Sequence, residues 1–192
     1  MKLGVLALQG AFNSHVAIFD DLGVTSIEVR CLEEFAGVDA LVLPGGESTA
    51  ISMLLDSLGL WIPIVERLAD GLPVLGTCAG MILLATEVVD GRNDQRSFGA
   101  VNLRVRRNGY GRQVDSFETD IEVLGLERPF HGIFIRAPIV EKVGPEVKVL
   151  ASADGMPVFC QQDNVFVTSF HPELTNDTRL HELFLEQVAG KI

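Results

Sequence analysis

PVLGTCAGMILL, residues 73–84, is an apolar run that passes through two glycines and a cysteine and continues into a second apolar run. Its first part, PVLGTC (73–78), has the length and character of a buried strand, and helical spacing follows, with a helix expected over 79–89. Cys78 therefore falls on a strand-to-helix turn, in the pattern of the G-x-nucleophile-x-G elbow of hydrolases. A nucleophile on so tight a turn takes a strained backbone, and side chains two positions before and after it would collide, which favours Gly76 and Gly80. The helix N-terminus adds a dipole that favours a thiolate and free N–H groups that can receive an oxyanion. Taken alone, the pattern is equally compatible with an ordinary buried cysteine.

Upstream, LGVLAL (3–8), SIEVRC (26–31) and DALVLP (39–44) are further short apolar runs, separated by stretches with helical spacing near 12–22, 48–58 and 60–70. This is a βαβ rhythm and implies a parallel sheet, with Ser48 placed to cap the second of these helices and Gly71 to end the third. After about residue 97 the runs become strand-like: FGAVNLRVRR, FETDIEVLGL, GIFIRAPIV, VKVLAS, PVFCQQ and VFVTSF. Only DTRLHELFLEQVAG (177–190) reads as a helix there. The expected fold class is α/β, a mixed, largely parallel central sheet flanked by helices. With no repeat, low-complexity tract or linker, residues 1–192 are expected to form one domain.

The net charge of −11 would repel a phosphate backbone, and the longest basic cluster is Arg104, Arg106 and Arg107, so nucleic acid is not an expected partner. No apolar run is long enough to cross a bilayer, and MKLGVLALQG lacks the cleavage site of a signal peptide; a soluble, cytoplasmic protein is expected, with no membrane partner. Three cysteines, Cys31, Cys78 and Cys160, form no CxxC pair, which points to reduced thiols and to neither a disulfide framework nor a metal site.

A base for Cys78 is supplied by FVTSFHPELT (166–175), where a strand-like run delivers His171 to its C-terminal end, Pro172 holds the chain extended and Glu173 follows. In triad logic His171 takes the thiol proton and passes it to the leaving group, while Glu173 orients the imidazole. His15, His131 and His181 have no such context and are assigned structural or solvated roles. LPGGEST (43–49) is a second strand–glycine–helix turn, without the lysine of a P-loop or the glycine spacing of a dinucleotide fold. Its backbone N–H groups, with that of Ala79, are placed to face the nucleophile across the carboxyl ends of adjacent strands.

PGG, GTCAG and HPE, in that order, resemble the class I (triad) glutamine amidotransferases, a family with a flavodoxin-like fold. A narrower resemblance runs along essentially the whole chain: LALQGA (6–11), LPGGEST (43–49), GTCAG (76–80), RRNGYGRQVDSFE (106–118), FIRAP (134–138) and SFHPELT (169–175) are similar to the glutaminase subunits of two-component pyridoxal 5′-phosphate synthases. The resemblance implies that Cys78, His171 and Glu173 hydrolyse L-glutamine through a glutamyl thioester, without a cofactor. It implies that glutamine is held by Gly46, Glu47, Ser48, Arg107, Ile135 and Arg136. Gly46, Ala79, Gln9 and Gly10 would form the oxyanion hole, the last two completing it when a partner docks. An arginine fork suits the α-carboxylate of glutamine, and Glu47 or a backbone carbonyl suits its α-ammonium; Arg104 and Arg112 are read as surface charges.

The expected elements are used up in building this one fold, so an acceptor for the ammonia is expected on another chain. The resemblance implies a (β/α)8-barrel synthase subunit. Three other readings stand beside it: a glutaminase subunit serving another synthase, a catalytically silent binding module on the same fold, and a thiol protease or DJ-1-like cysteine protein. The first shares the triad, the second would be expected to have lost a triad residue, and the third leaves the HPE spacing unexplained.

Overall fold

The computed structural model describes residues 1–92, 94–107 and 116–190. Most of the RRNGYGRQVDSFE motif, Arg112 included, lies outside the described residues. The first half alternates as the apolar rhythm requires: β1 (Leu3–Leu6), α1 (Phe12–Asp21), β2 (Ser26–Val29), α2 (Leu32–Phe35), β3 (Ala40–Leu43), α3 (Ser48–Ser57), α4 (Trp61–Ala69), β4 (Val74–Thr77) and α5 (Ala79–Leu84). The second half is β5 (Ala85–Val88), β6 (Val101–Arg106), β7 (Ser116–Ile121), β8 (Phe130–Ile135), β9 (Ile139–Val143), β10 (Lys148–Ala153), β11 (Met156–Gln162), β12 (Val165–Thr168) and α6 (Arg179–Ala189).

Among the described residues the central sheet has seven strands in the order β10-β11-β12-β4-β3-β1-β2. It is parallel from β2 to β12 and antiparallel beyond it, the mixed sheet expected. β1, β3, β4 and β12 are buried along their whole lengths, which is why their sequences are continuously apolar rather than alternating. Successive side chains feed two cores. Leu41, Leu43, Val74, Val165 and Val167 join α3, α4, α5 and the small sheet β5-β6-β9 on one face. Ala40, Val42, Leu75 and Phe166 join α1, α6 and the β7–β8 hairpin on the other. That second core is built on Phe19, Phe130, Phe134, Phe159, Phe170 and Phe184.

Three local expectations need correction. The helix after Cys78 stops at Leu84 rather than 89, because β-branched Thr86, Val88 and Val89 favour the extended chain of β5. The cap of α3 is Glu47, not Ser48: its carboxylate accepts from Thr49 N and Ala50 N at 3.0 and 2.7 Å. The run GIFIRAPIV is split into β8 and β9 around Ala137 and Pro138. Gly71 does end α4, with φ of 84°.

The elbow depends on close packing that no side chain would permit. A methyl group at Gly80 would sit 2.2 Å from the carbonyl oxygen of Leu43, whereas at Gly155, with φ of 78°, it would meet nothing within 4 Å. Gly155→Ala is therefore expected to cost only the strain of a left-handed alanine, about 1 kcal/mol. Gly80→Ala should cost more than ~2 kcal/mol by overpacking against backbone. Urea midpoints of the two variants check this; equal losses would mean that the β3–α5 contact yields freely.

Candidate active site

Cys78 is the N-cap of α5 with φ 49° and ψ −97°, a conformation that a non-glycine residue holds only when its surroundings enforce it. The parallel pairing of β4 with β12 fixes one side, through Cys78 N donating to Thr168 O at 2.8 Å. The glycines do the rest. A methyl at Gly76 would lie 2.9 Å from the Gly80 carbonyl carbon, so the turn closes only with glycine at both places.

The next strand end carries the base. His171 follows β12 with φ −106° and ψ 86°, extended as the following proline requires, and its N–H donates to Ile133 O of β8 at 2.8 Å. Pro172–Leu174 then form a single 3-10 turn that places Glu173 beside the ring: His171 Nδ1 and Glu173 Oε1 are 2.7 Å apart. The second ring nitrogen is left for Cys78, which acts on the ring electrostatically. All three side chains are buried or nearly so.

Burial works against a charged His171, but the influence of Cys78 and of the Glu173 carboxylate, to which the cationic ring donates, outweighs it and lifts its pKa to about 10. At neutral pH the ring therefore already holds a proton, ready for a leaving group. Burial would also raise Glu173, yet its contacts with His15 and His171 hold it below the usual carboxylate range. The other thiols differ: Cys160 is buried in strand β11 and pushed up to about 12 by that burial alone, which leaves it inert at neutral pH.

These groups open on a cleft of about 420 Å³ at the carboxyl ends of β1, β3, β4 and β12, next to the point where the strand order reverses. Its lining brings together Gln9, Gly10, Gly46, Glu47, Ser48, Cys78, Arg107, Ile135, Arg136 and His171. Of the residues expected to act on glutamine, to bind it or to form the oxyanion hole, only Glu173 and Ala79 are not on its wall; Glu173 stands behind His171, and Ala79 adjoins Cys78 at the start of α5. The N–H groups of Gly46 and Ala79 have no acceptor among the described residues, the condition an oxyanion hole requires. The β1 and β3 loops are locked together by Ala11 N to Gly45 O at 3.0 Å and by Glu47 N to Gln9 Oε1 at 2.7 Å.

On the cleft wall Arg107 and Glu47 also carry protein partners. Arg107 donates to Glu47 Oε1 at 2.8 Å, Thr49 Oγ1 at 2.9 Å and Gln95 Oε1 at 2.7 Å, and Gln95 donates in turn to Ser48 Oγ at 3.1 Å. Arg136, held at φ 44°, makes no ion pair among the described residues. Sequence reasoning missed Gln95, which sits in a segment without motif or periodicity. It also left His15 and His181 unconnected to the site, although both sit on apolar helix faces, with Phe19 and Phe184 as neighbours. Both are fully buried, and His15 Nε2 lies 3.5 Å from Glu173 Oε2. His131 is exposed and held between Asp120 and Glu118, away from the cleft.

The sequence profile of the SNO glutamine amidotransferase family matches residues 5–190. This chain belongs to that family. Pyridoxal 5′-phosphate synthase subunit PdxT of Mycobacteroides abscessus is 53% identical over 186 residues, covering 97% of this chain and 96% of that one. The protein of the same name from Fervidobacterium nodosum is 48% identical over 188 residues, covering 98% and 97%. A solved glutamine amidotransferase superposes with a TM-score of 0.92 at 47% identity, over 97% of this chain and 98% of that one. A putative GMP synthase component from Thermoplasma acidophilum, at 19% identity and a TM-score of 0.72 over 100% and 95%, shares the fold. The SNO family chain thus has the α/β fold expected of it.

The raised pKa of His171 has a direct readout. Its ring proton signals should titrate near pH 10 in NMR, not near 6.5, and Glu173→Gln should move the midpoint down, since a neutral amide no longer favours the cationic ring. A midpoint near 6.5 in the unsubstituted protein would mean that the ring is not held as described.

Proposed function

We propose that this chain is the single-domain glutaminase component of a pyridoxal 5′-phosphate synthase, acting in the cytoplasm on L-glutamine and passing ammonia to a separate (β/α)8-barrel subunit. The observation that carries this reading is that Cys78 and His171, the latter backed by Glu173, share one cleft with Gly46, whose N–H, like that of Ala79, has no acceptor among the described residues. Membership of the SNO family and the names of its full-length relatives support it. No single helix among the described residues is long and apolar enough to cross a membrane, which agrees with that location.

In this reading Cys78 Sγ, its proton already passed to His171, attacks the side-chain amide carbon of glutamine. The C–S bond forms, the amide oxygen becomes an oxyanion, and the N–H groups of Gly46 and Ala79 receive it. His171 then gives its proton to the amide nitrogen, the C–N bond breaks, and ammonia leaves a glutamyl thioester. Water, losing its proton to His171, attacks the thioester and releases glutamate and Cys78. The sum is glutamine plus water giving glutamate plus ammonia. Glu173 holds the ring in one orientation throughout and offsets its positive charge.

Substrate recognition follows from the cation and the anion on the cleft wall. Arg136 is the cation with no competing carboxylate among the described residues, and it suits the α-carboxylate of glutamine. Glu47 faces the α-ammonium, and Arg107 acts through Glu47 and Gln95, setting their positions. Gln9 and Gly10 belong to a loop hydrogen-bonded to the oxyanion loop, so a partner that shifts the first can open or close the second. Direct transfer to a partner keeps ammonia from being protonated in water.

Glutamate release by the purified chain, alone and with a barrel synthase partner plus its sugar phosphates, tests the proposal. Release should rise on adding the partner, with pyridoxal phosphate absorbance appearing, and Cys78→Ala should abolish both while still docking. Release that ignores the partner would keep the glutaminase and remove the vitamin B6 assignment. No release in either case would favour a silent module on this fold.

A further inference from the structure

Glu173 uses one carboxylate oxygen on His171. The other, Oε2, is fully buried and has no hydrogen-bond partner within normal reach among the described residues. A bare carboxylate oxygen in a protein interior is costly, so what faces it matters. Facing it is the ring of His15 on α1, with Nε2 at 3.5 Å from Oε2 and 3.3 Å from Thr77 Oγ1. On its far side, His15 Nδ1 is 3.0 Å from Nε2 of His181 on α6, and His181 Nδ1 has no partner among the described residues.

Only one arrangement of protons suits this chain. If His15 Nδ1 carried the proton, its bare Nε2 would face the bare carboxylate oxygen, and His181 would be left with an orphaned buried N–H. With the proton on His15 Nε2, the N–H points toward Glu173 and Thr77, and His181 Nε2–H donates to His15 Nδ1. What remains is an unpaired acceptor on His181, a far more common situation than an unpaired buried donor. Burial lowers the pKa of both rings, and that of His181 falls to about 3, so each is neutral. His15 therefore offers Glu173 a dipole and does not compete with His171 as a second cation.

We propose that His15, oriented by His181, is a positioning residue for the reaction, holding the second oxygen of Glu173 and the hydroxyl of Thr77 in one fixed relation. Thr77 precedes the nucleophile, and its Oγ1 accepts Gly45 N–H at 3.0 Å, which anchors the loop that carries Gly46. One imidazole thus ties the carboxylate behind the base to the loop that supplies an oxyanion donor. Because α1 begins directly after the loop of Gln9 and Gly10, His15 sits on the element that a docking partner would move.

This inference rests on the glutaminase reading, so the test has one readout that needs glutamine and one that does not. His15→Gln keeps an N–H on a side chain of similar reach, whereas His15→Met keeps the bulk and loses the donor. With protein amounts set by titration of Cys78, His15→Met should lower kcat about 10-fold or more with KM changed less than about 2-fold, and His15→Gln should recover most of the loss. The downfield NMR signal of the His171 Nδ1 proton should persist in His15→Gln and broaden in His15→Met, with or without glutamine. Should His15→Met not fold, His181→Phe carries the same two readouts, with a smaller fall in kcat expected. Equal kcat for His15→Met and the unsubstituted protein, or an equal loss in the Gln and Met variants, would overturn the proposal. An unsubstituted protein that hydrolyses no glutamine even with a barrel synthase partner present would overturn the glutaminase reading, leaving the NMR comparison to decide this one.

Discussion

The left-handed backbone of Cys78 is the constraint on which the rest of the site depends. A non-glycine residue at φ 49° costs roughly 1–3 kcal/mol. It is held there by the β4–β12 ladder on one side and by backbone packed against backbone on the other, at Gly76, Gly80 and Leu43. The geometry turns the sulfur toward the cleft and leaves the Ala79 N–H beside it without an acceptor among the described residues. Gly45 belongs to the same arrangement: a methyl there would lie 2.3 Å from His171 Cε1, so the base can approach only because that position has no side chain.

Around this turn the charges are arranged so that no element acts alone. Glu173 faces His171 with one oxygen and His15 with the other, and Thr77 links the same histidine to the loop that carries Gly45 and Gly46. Glu47 caps α3, receives Arg107 and, through its backbone N–H, holds Gln9. The pocket wall is therefore a set of loops that brace one another at the ends of four parallel strands. Such a site is braced around Cys78, and the β1 loop shares in that bracing through Gln9.

Much of this was legible in the chain itself. The buried strands β1, β3, β4 and β12 are apolar without interruption because both faces are covered, and the glycines at 76 and 80 mark a turn that only they allow. His171 and Glu173 were legible because two residues of separation across a proline turn is local geometry. What escaped was decided by tertiary contact. Glu47 outcompetes Ser48 as a cap because its longer side chain reaches two N–H groups and an arginine at once. Gln95 reaches Arg107 from a segment with no pattern of its own, and Arg107 braces Glu47 and Gln95, while Arg136 on the cleft wall makes no ion pair among the described residues. His15 and His181 lie 166 residues apart and meet only in the fold. Their one trace in the sequence was a histidine on the apolar face of each of two helices.

The central claim is that Cys78 alone among the three cysteines is the nucleophile toward a glutamine-like substrate. Reaction with 6-diazo-5-oxo-L-norleucine, a glutamine analogue that alkylates an attacking thiol with loss of nitrogen, measures this directly by intact mass and peptide mapping. The expected result is one adduct per chain, on Cys78, with Cys31 and Cys160 unmodified and glutamine slowing the labelling. An adduct on Cys31 or Cys160, or hydrolysis of glutamine that survives without any adduct at Cys78, would contradict the account.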